Sequence, residues 1–235
     1  MSFVWQMIEQ ALTRIEHADA TLLATTWRTL RLAFGATAIA CLLGLPLGAG
    51  LAQARDPRLK RIGFTLANAG LGLPPVVLGV FLALVLLPGS PLGTLQLTNT
   101  LTGVLIAQVL LALPIVVALT AAAVAGLPEG LLTQARAFGA GWWPRAALAL
   151  REARVGVLAA IIAALGSAVA EVGAVVIVGG NMRGQTDTLA SSILLDLRAG
   201  DPAGATADVI ILLAIVAVLG IALTLVQQRG RRPTQ

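Results

Sequence analysis

Residues 101–125 read LTGVLIAQVLLALPIVVALTAAAVA, a run without a single charged side chain. As a helix it would extend roughly 37 Å at 1.5 Å per residue, enough to cross a hydrocarbon core of about 30 Å. A chain in lipid must satisfy its backbone polar groups internally, so a spanning segment is either a helix or a strand of a closed barrel. Barrel strands alternate apolar and polar residues over about ten positions. This run does not alternate, and it predicts a membrane helix. Working outward, four more stretches predict spans at 30–52, 63–87, 155–178 and 206–226. Each ends at polar or Gly/Pro punctuation: ARDPRLKR, PGSPLG, GGNMRG and QQRGRR. The expected fold is all-α, a polytopic bundle of about five transmembrane helices forming one domain over 1–235.

Composition excludes other classes. Only 11% of the residues are charged, against about 25% in a soluble domain, so most of the chain cannot present a wetted surface. The net charge of +5 sits in short segments between apolar runs, which membrane topology explains without nucleic acid. Cys41 is the one cysteine and His17 the one histidine. A disulfide framework is therefore excluded and a structural metal site is not expected. The sequence calls for no cofactor.

Residues 1–20 carry Glu9, Glu16 and Asp19 and lack the charged-then-apolar order of a signal peptide. Phe3, Val4, Met7, Ile8, Ala11, Leu12 and Ile15 recur every three to four residues. That spacing predicts an amphipathic helix lying on the membrane surface or on the bundle.

Five spans put the termini on opposite sides. Segments 53–62 and 126–154 and the tail hold eleven of the sixteen basic residues, including Arg136, Arg145, Arg151, Arg154, Arg229, Arg231 and Arg232. The other side holds Arg14, Arg28, Arg31, Arg183 and Arg198. By the positive-inside rule the N-terminus faces out and the C-terminus is cytoplasmic. Pro46, Pro74, Pro75 and Pro114 lie inside apolar runs. They read either as tolerated kinks or as hinges.

The largest cytoplasmic insert, about 127–154, contains LLTQARAFGAGWWPRAALALREAR. Residues 131–138 favour helix, Gly139-Ala140-Gly141 breaks it, and a second helix starts around Pro144 and enters the next span. Trp142 and Trp143 beside arginines fit either an interfacial anchor or a protein-docking knob.

This insert resembles the coupling loop of ATP-binding-cassette importer permeases, whose pattern is Glu-Ala-Ala, three residues, Gly, nine residues, then Ile-x-Leu-Pro. Thr133-Gln134-Ala135 stand at the Glu-Ala-Ala positions and Gly139 at the glycine. Ala149, Arg151 and Glu152 stand at Ile, Leu and Pro, so only Ala135 and Gly139 match strictly. The flank LREARVGVLAAIIAALGSAVAEVGAVVIVGGN (150–181) is similar to the tungstate-uptake subgroup, related to molybdate and sulfate permeases. TLRLAFGATAIACLLGLPLGAGLA, GLPPVVLGVFLALVLL, GSPLG and IAQVLLALPIVVALT extend the similarity over most of 29–182.

The resemblance implies a type I importer permease in a bacterial cytoplasmic membrane. Its partners would be an ATPase subunit dimer, a second copy of the chain and an extracytoplasmic oxyanion-binding protein. Thr133, Gln134, Ala135, Arg136, Gly139, Trp142 and Trp143 would couple to the ATPase. The chain has no Gly-x-x-x-x-Gly-Lys-Ser/Thr phosphate loop, so hydrolysis is expected on the partner.

Further candidates come from the spans. Glu171 lies about 24 Å along the fourth span from Val155, where an ionisable residue suggests function. It reads as part of a gate or packing network, or as a structural partner, with Arg31 a conceivable counter-ion or a neighbouring helix end to cap. Gly173 would permit close helix crossing. Gln108 would line the pathway or bridge helices. Asn181 and Arg183 offer donors suited to an oxyanion, or form a solvated turn. Asp187, Asp196 and Asp201 make the 180–205 segment a candidate surface for the binding protein. A serine hydrolase lacks a base near Ser167, since His17 lies outside the spans. A lone channel would leave the Trp-bearing loop idle.

Overall fold

The computed structural model describes residues 2–17, 19–128 and 130–230. Glu129 and the tail arginines Arg231 and Arg232 lie outside the described residues. Among the described residues eleven α-helices form in chain order: α1 (Ser2–Glu16), α2 (Ala20–Ala52), α3 (Pro57–Leu71), α4 (Pro75–Leu86), α5 (Leu101–Ala125), α6 (Leu131–Ala137), α7 (Trp142–Glu152), α8 (Arg154–Val169), α9 (Gly173–Gly179), α10 (Leu189–Arg198) and α11 (Pro202–Gly230). A short 3-10 turn occupies Gly93–Leu95. No strand occurs among the described residues. The all-α membrane bundle expected from the sequence is the architecture observed.

α2, α5 and α11 are each long and apolar enough to cross a membrane. Two expected spans are broken, which corrects their reading as single continuous helices. The stretch 63–87 is divided between α3 and α4 at Gly72-Leu73-Pro74. Proline at 74 and again at 75 disfavours helix in the residue before each and removes two backbone donors. Pro75 then opens α4 at a position where its missing N–H costs nothing. The stretch 155–178 is divided between α8 and α9 at residues 170–172. Pro46 and Pro114, by contrast, sit within α2 and α5 without ending them. The first and last spans also begin earlier than expected, at Ala20 and Pro202. The helix after the Gly-Ala-Gly break starts at Trp142, two residues before Pro144.

The chain forms two compact units. Unit 1 comprises Met1–Ala36, Pro74–Val109 and Gly166–Leu219; unit 2 comprises Thr37–Leu73, Leu110–Leu165 and Gly220–Gln235. In unit 1, α1 packs on the bundle through Ala11 and Ile15 against Leu22, Leu189 and Ala207. Leu32, Val104 and Val175 form a second apolar cluster there. A Cβ on Gly79 of α4 would lie 2.9 Å from the Cα of Ala174 on α9, so these backbones meet directly.

Unit 2 is built on small residues. A Cβ on Gly48 of α2 would lie 2.8 Å from the carbonyl oxygen of Val117 on α5. One on Gly156 of α8 would crowd the Cβ of Ala123 on α5. Ala40, Ala112, Val116 and Ala164 fill the space between these helices. Apolar side chains gain little from leaving lipid, so helices associate through close van der Waals packing, and small residues permit it. Large side chains of this unit accordingly point outward: Leu42, Leu47 and Leu66 are exposed.

This packing predicts a contrast between two glycines. Gly48→Ala meets a backbone oxygen that cannot move aside, and should cost about 1–3 kcal/mol. Gly166 has open space around its Cβ position, so Gly166→Ala should be neutral or gain up to about 1 kcal/mol of helix propensity. Thermal unfolding of the two variants in detergent, followed by tryptophan fluorescence, checks the difference.

Candidate functional site

In unit 2, α6 ends in a paired carbonyl-capping turn. The N–H of Gly139 donates to the Arg136 oxygen at 2.9 Å, and that of Ala140 to the Ala135 oxygen at 3.0 Å. This is the Schellman arrangement, which needs a left-handed residue just past the helix. Gly139 supplies it with φ 82°. Nothing approaches its Cβ position within 4 Å, so glycine is demanded by backbone geometry and not by crowding. Phe138, 91% exposed, projects beside the turn.

Trp142 and Trp143 open α7 and stack edge to face, with ring centres 4.4 Å apart. They divide in role. The Trp142 indole reaches back to Gly50 on α2, while Trp143 is largely exposed. Ala146 and Ala149 on α7 are buried with Ala49, Val124, Ala153 and Val157. Leu132 of α6 packs on the same cluster. Thr133, Gln134 and Arg136 face outward and Ala135 is half-buried. The insert is therefore a short helix pair fastened to α2, α5 and α8, with an exposed apolar tip.

Unit 1 gathers the other candidates. Glu171 lies in the α8–α9 break, and its Oε1 accepts the Ala174 N–H at 2.9 Å. It caps α9 by satisfying an N–H of that helix's first turn. No ion pair to Arg31 forms among the described residues. Gly173 permits close crossing as expected: a Cβ there would lie 2.8 Å from Cγ2 of Val76. Gln108 is buried on α5 and donates to the Ala168 carbonyl of α8 at 3.2 Å, so it bridges helices.

Asn181 and Arg183 are not free donors. The Asn181 amide donates to the Ser191 carbonyl at 3.1 Å from a left-handed backbone that asparagine tolerates. Arg183 pairs with Asp196 at 2.6 Å. Both side chains therefore brace the 181–196 segment internally. The Asn181 Nδ2 and the buried Asp196 carboxylate find partners within the 181–196 segment, while the Asn181 Oδ1 has none among the described residues.

Two further ion pairs join distant segments. Arg14 of α1 forms a fork with Asp201, at 2.7 and 3.2 Å. Arg28 of α2 reaches Asp187 at 2.5 Å and also donates to the Asp187 and Gly184 carbonyls. Only 12% and 3% of the two side chains remain exposed. Thr29 accepts the Leu189 N–H at 2.8 Å. Asp208 in α11 is buried against the Ser192 hydroxyl. These residues surround a cavity of about 300 Å³ whose charged lining is Asp19, Asp187, Asp196, Asp201 and Asp208 against Arg14, Arg28 and Arg183. The excess of carboxylates is the wrong sign for holding a dianion.

Sequence reading missed Arg28, Thr29 and Asp208. Asp208 was legible as an acid just inside the last apolar run. Arg28 and Thr29 fall within α2 because it begins ten residues earlier than expected, at Ala20, and nothing local announces partners some 160 positions away.

Hydrogen bonds set the titration of the exposed acids. The Thr21 hydroxyl and N–H hold Asp19 below the ordinary aspartate range. For Asp201 burial pushes upward, but the Gly204 N–H and Arg14 outweigh it and lower the value. Asp201 in turn raises Arg14.

The fold and the sequence both have known relatives. The chain matches the model of binding-protein-dependent transport system inner membrane components over residues 44–232. It is 36% identical to a probable anion ABC transporter permease protein of Haloferax volcanii, covering 90% of this chain and 92% of that one. It is 30% identical to the tungstate uptake system permease protein TupB of Peptoclostridium acidaminophilum, covering 92% and 94%. The molybdenum transport system permease protein ModB of Azotobacter vinelandii is 33% identical over 73% of this chain and 79% of its own. Among solved structures, the MetNI methionine ABC transporter shares the fold at TM-score 0.72 and 20% identity, over 92% of this chain and 99% of that one. An amino acid ABC transporter does so at TM-score 0.62 and 17% identity, over 93% and 97%. The bundle is thus that of a type I ABC importer permease. The chain belongs to the family of binding-protein-dependent transport system inner membrane components, the permeases of ABC transporters.

Two outcomes follow from the ion pairs. Arg28→Ala strands the buried Asp187 carboxylate and should cost about 3–5 kcal/mol, whereas Arg14→Ala, at a half-exposed pair, should cost about 0–1 kcal/mol. Unfolding in mixed micelles measures both. Asp201 and Asp19 have lowered folded values, so their contribution is complete above the ordinary aspartate value near 3.9 and fades as pH falls through the lowered one. Protection of α1 amides from hydrogen exchange, normalised for intrinsic rate, should stay level from about pH 8 to 5 and drop below about pH 4. Asp201→Asn should remove most of that drop.

Proposed function

We propose that this chain is the membrane-spanning subunit of an ATP-driven importer of an oxyanion, tungstate in the first instance. The observation that carries the proposal is the α6–Gly139–α7 knob. Its tip exposes Phe138 and Trp143, and its base is fastened to three long helices. A knob so held can move only with those helices, which suits transmission of ATPase closure into the membrane. Thr133, Gln134, Ala135, Arg136, Gly139, Trp142 and Trp143 are the proposed contact set. Substrate class rests on the relatives named above for anion, tungstate and molybdenum transport. Molybdate and sulfate are the rival cargoes.

The single domain would work as two copies flanking one pathway, with two ATPase subunits below and an extracytoplasmic binding protein above. The chain itself would not hydrolyse ATP. The basic segments would be cytoplasmic and the N-terminus outside. Glu171, Gly173 and Gln108 would stabilise the gate by fixing α4, α5, α8 and α9. Asn181 and Arg183 would brace its outer rim without touching the anion.

Gly139→Asp should lose co-purification with the ATPase subunit by about tenfold or more, because it sets a carboxylate at the docking tip and adds the cost of a side chain to a backbone at φ 82°. In liposomes, binding protein loaded with tungstate should stimulate ATP hydrolysis more than protein loaded with molybdate or sulfate. Retained ATPase binding in Gly139→Asp would overturn the coupling role; equal stimulation by all three anions would overturn the tungstate assignment.

A further inference from the structure

Lys60 on α3, Arg136 on α6 and Arg145 on α7 line one cavity of about 350 Å³ in unit 2. Gln53 and Thr133 add polar atoms, and Val124 and Leu127 form its apolar back. Among the described residues no carboxylate lines this space, and none of the three cations makes an ion pair. Arg145 is held in place by its own helix start, its Nε donating to the Gly141 carbonyl at 3.2 Å. Three cations from three helices facing one space repel each other unless an anion joins them. In the acidic cavity of unit 1, by contrast, Arg14, Arg28 and Arg183 each have an aspartate partner.

We infer that this cavity is a binding site for a phosphate-class oxyanion. Two guanidinium groups and an ammonium suit a tetrahedral group: the planar forks can donate pairs of hydrogen bonds to its oxygens, and the lysine adds a point charge. A bound oxyanion would tie α3 to α6 and α7 and so stiffen the base of the knob. The anion has two sources, a free inorganic oxyanion or the phosphate of an anionic lipid headgroup. Which compartment or leaflet supplies it rests on the topology proposed above; the anion binding itself does not.

The test uses the full-length chain in nanodiscs. One set contains only phosphatidylcholine and is titrated calorimetrically with inorganic phosphate and, separately, tungstate. A second set includes phosphatidylglycerol, and retained lipid is counted by native mass spectrometry. Saturable binding of one anion per chain is expected in one of the two arms. Lys60→Gln and Arg145→Gln should each weaken it about tenfold, and Lys60→Arg should retain it. Arg58→Gln, an equal charge loss outside the cavity, should leave it unchanged. Absence of saturable binding in both arms would overturn the site. So would an equal loss in Arg58→Gln, the sign of diffuse surface charge. Saturation seen only after adding the ATPase subunit would place the anion on that subunit and also overturn it. Lys60→Gln should keep co-purifying with the ATPase subunit, so failure here is distinguishable from failure of the coupling reading.

Discussion

Close contact between helix backbones is the constraint on which unit 2 depends. Gly48 against the Val117 carbonyl and Gly156 against Ala123 leave no room for a side chain. Lipid tails are as apolar as leucine, so burying a large side chain gains little in this setting. What holds α2, α5 and α8 together is dispersion over a small-residue interface. The same interface carries the knob, because Ala146 and Ala149 of α7 are buried in its continuation with Ala49 and Val124. A loosened α2–α5 contact would therefore be felt at Trp142 and at the turn made by Gly139.

Unit 1 follows a different rule. Arg14, Arg28 and Arg183 each take an aspartate, and α1, α2 and the 181–201 segment are thereby joined. The buried Arg28–Asp187 pair weighs most, since a lone charge in that position would be costly. Glu171 at the head of α9 and the Gln108 Nε2 between α5 and α8 also find partners within the protein. Most polar candidates near the α8–α10 region thus serve as internal braces, and their lining charge disfavours an anion. Lys60, Arg136 and Arg145, which make no ion pair among the described residues, lie instead beside the knob in unit 2, where an anion could find them.

How much of this was legible depended on whether the signal was local. The apolar run 101–125 announced α5 with its boundaries intact. Gly139 was legible as a helix stop because the left-handed turn is a property of a few neighbouring residues. Pro74-Pro75 was visible as a possible hinge, yet the division of 63–87 into α3 and α4 was not, since Pro46 and Pro114 show that proline alone does not end a membrane helix. The break at 170–172 was hidden for a related reason: its apolar composition suits a continuous span, and only the capping of α9 by Glu171 makes interruption favourable.

The sequence by itself determined the all-helical membrane class, the amphipathic first helix, the basic segments and the helix–glycine–helix insert. Each is written in composition or in spacing of a few residues. Only the tertiary structure decided the partners: Asp187 for Arg28, Asp201 for Arg14, Ala168 for Gln108, and the grouping of Lys60, Arg136 and Arg145 around one cavity. The physical reason is that an ion pair or a cation cluster depends on distances of a few ångströms between residues far apart in the chain. Hydropathy and periodicity carry no information about those distances until the helices have packed.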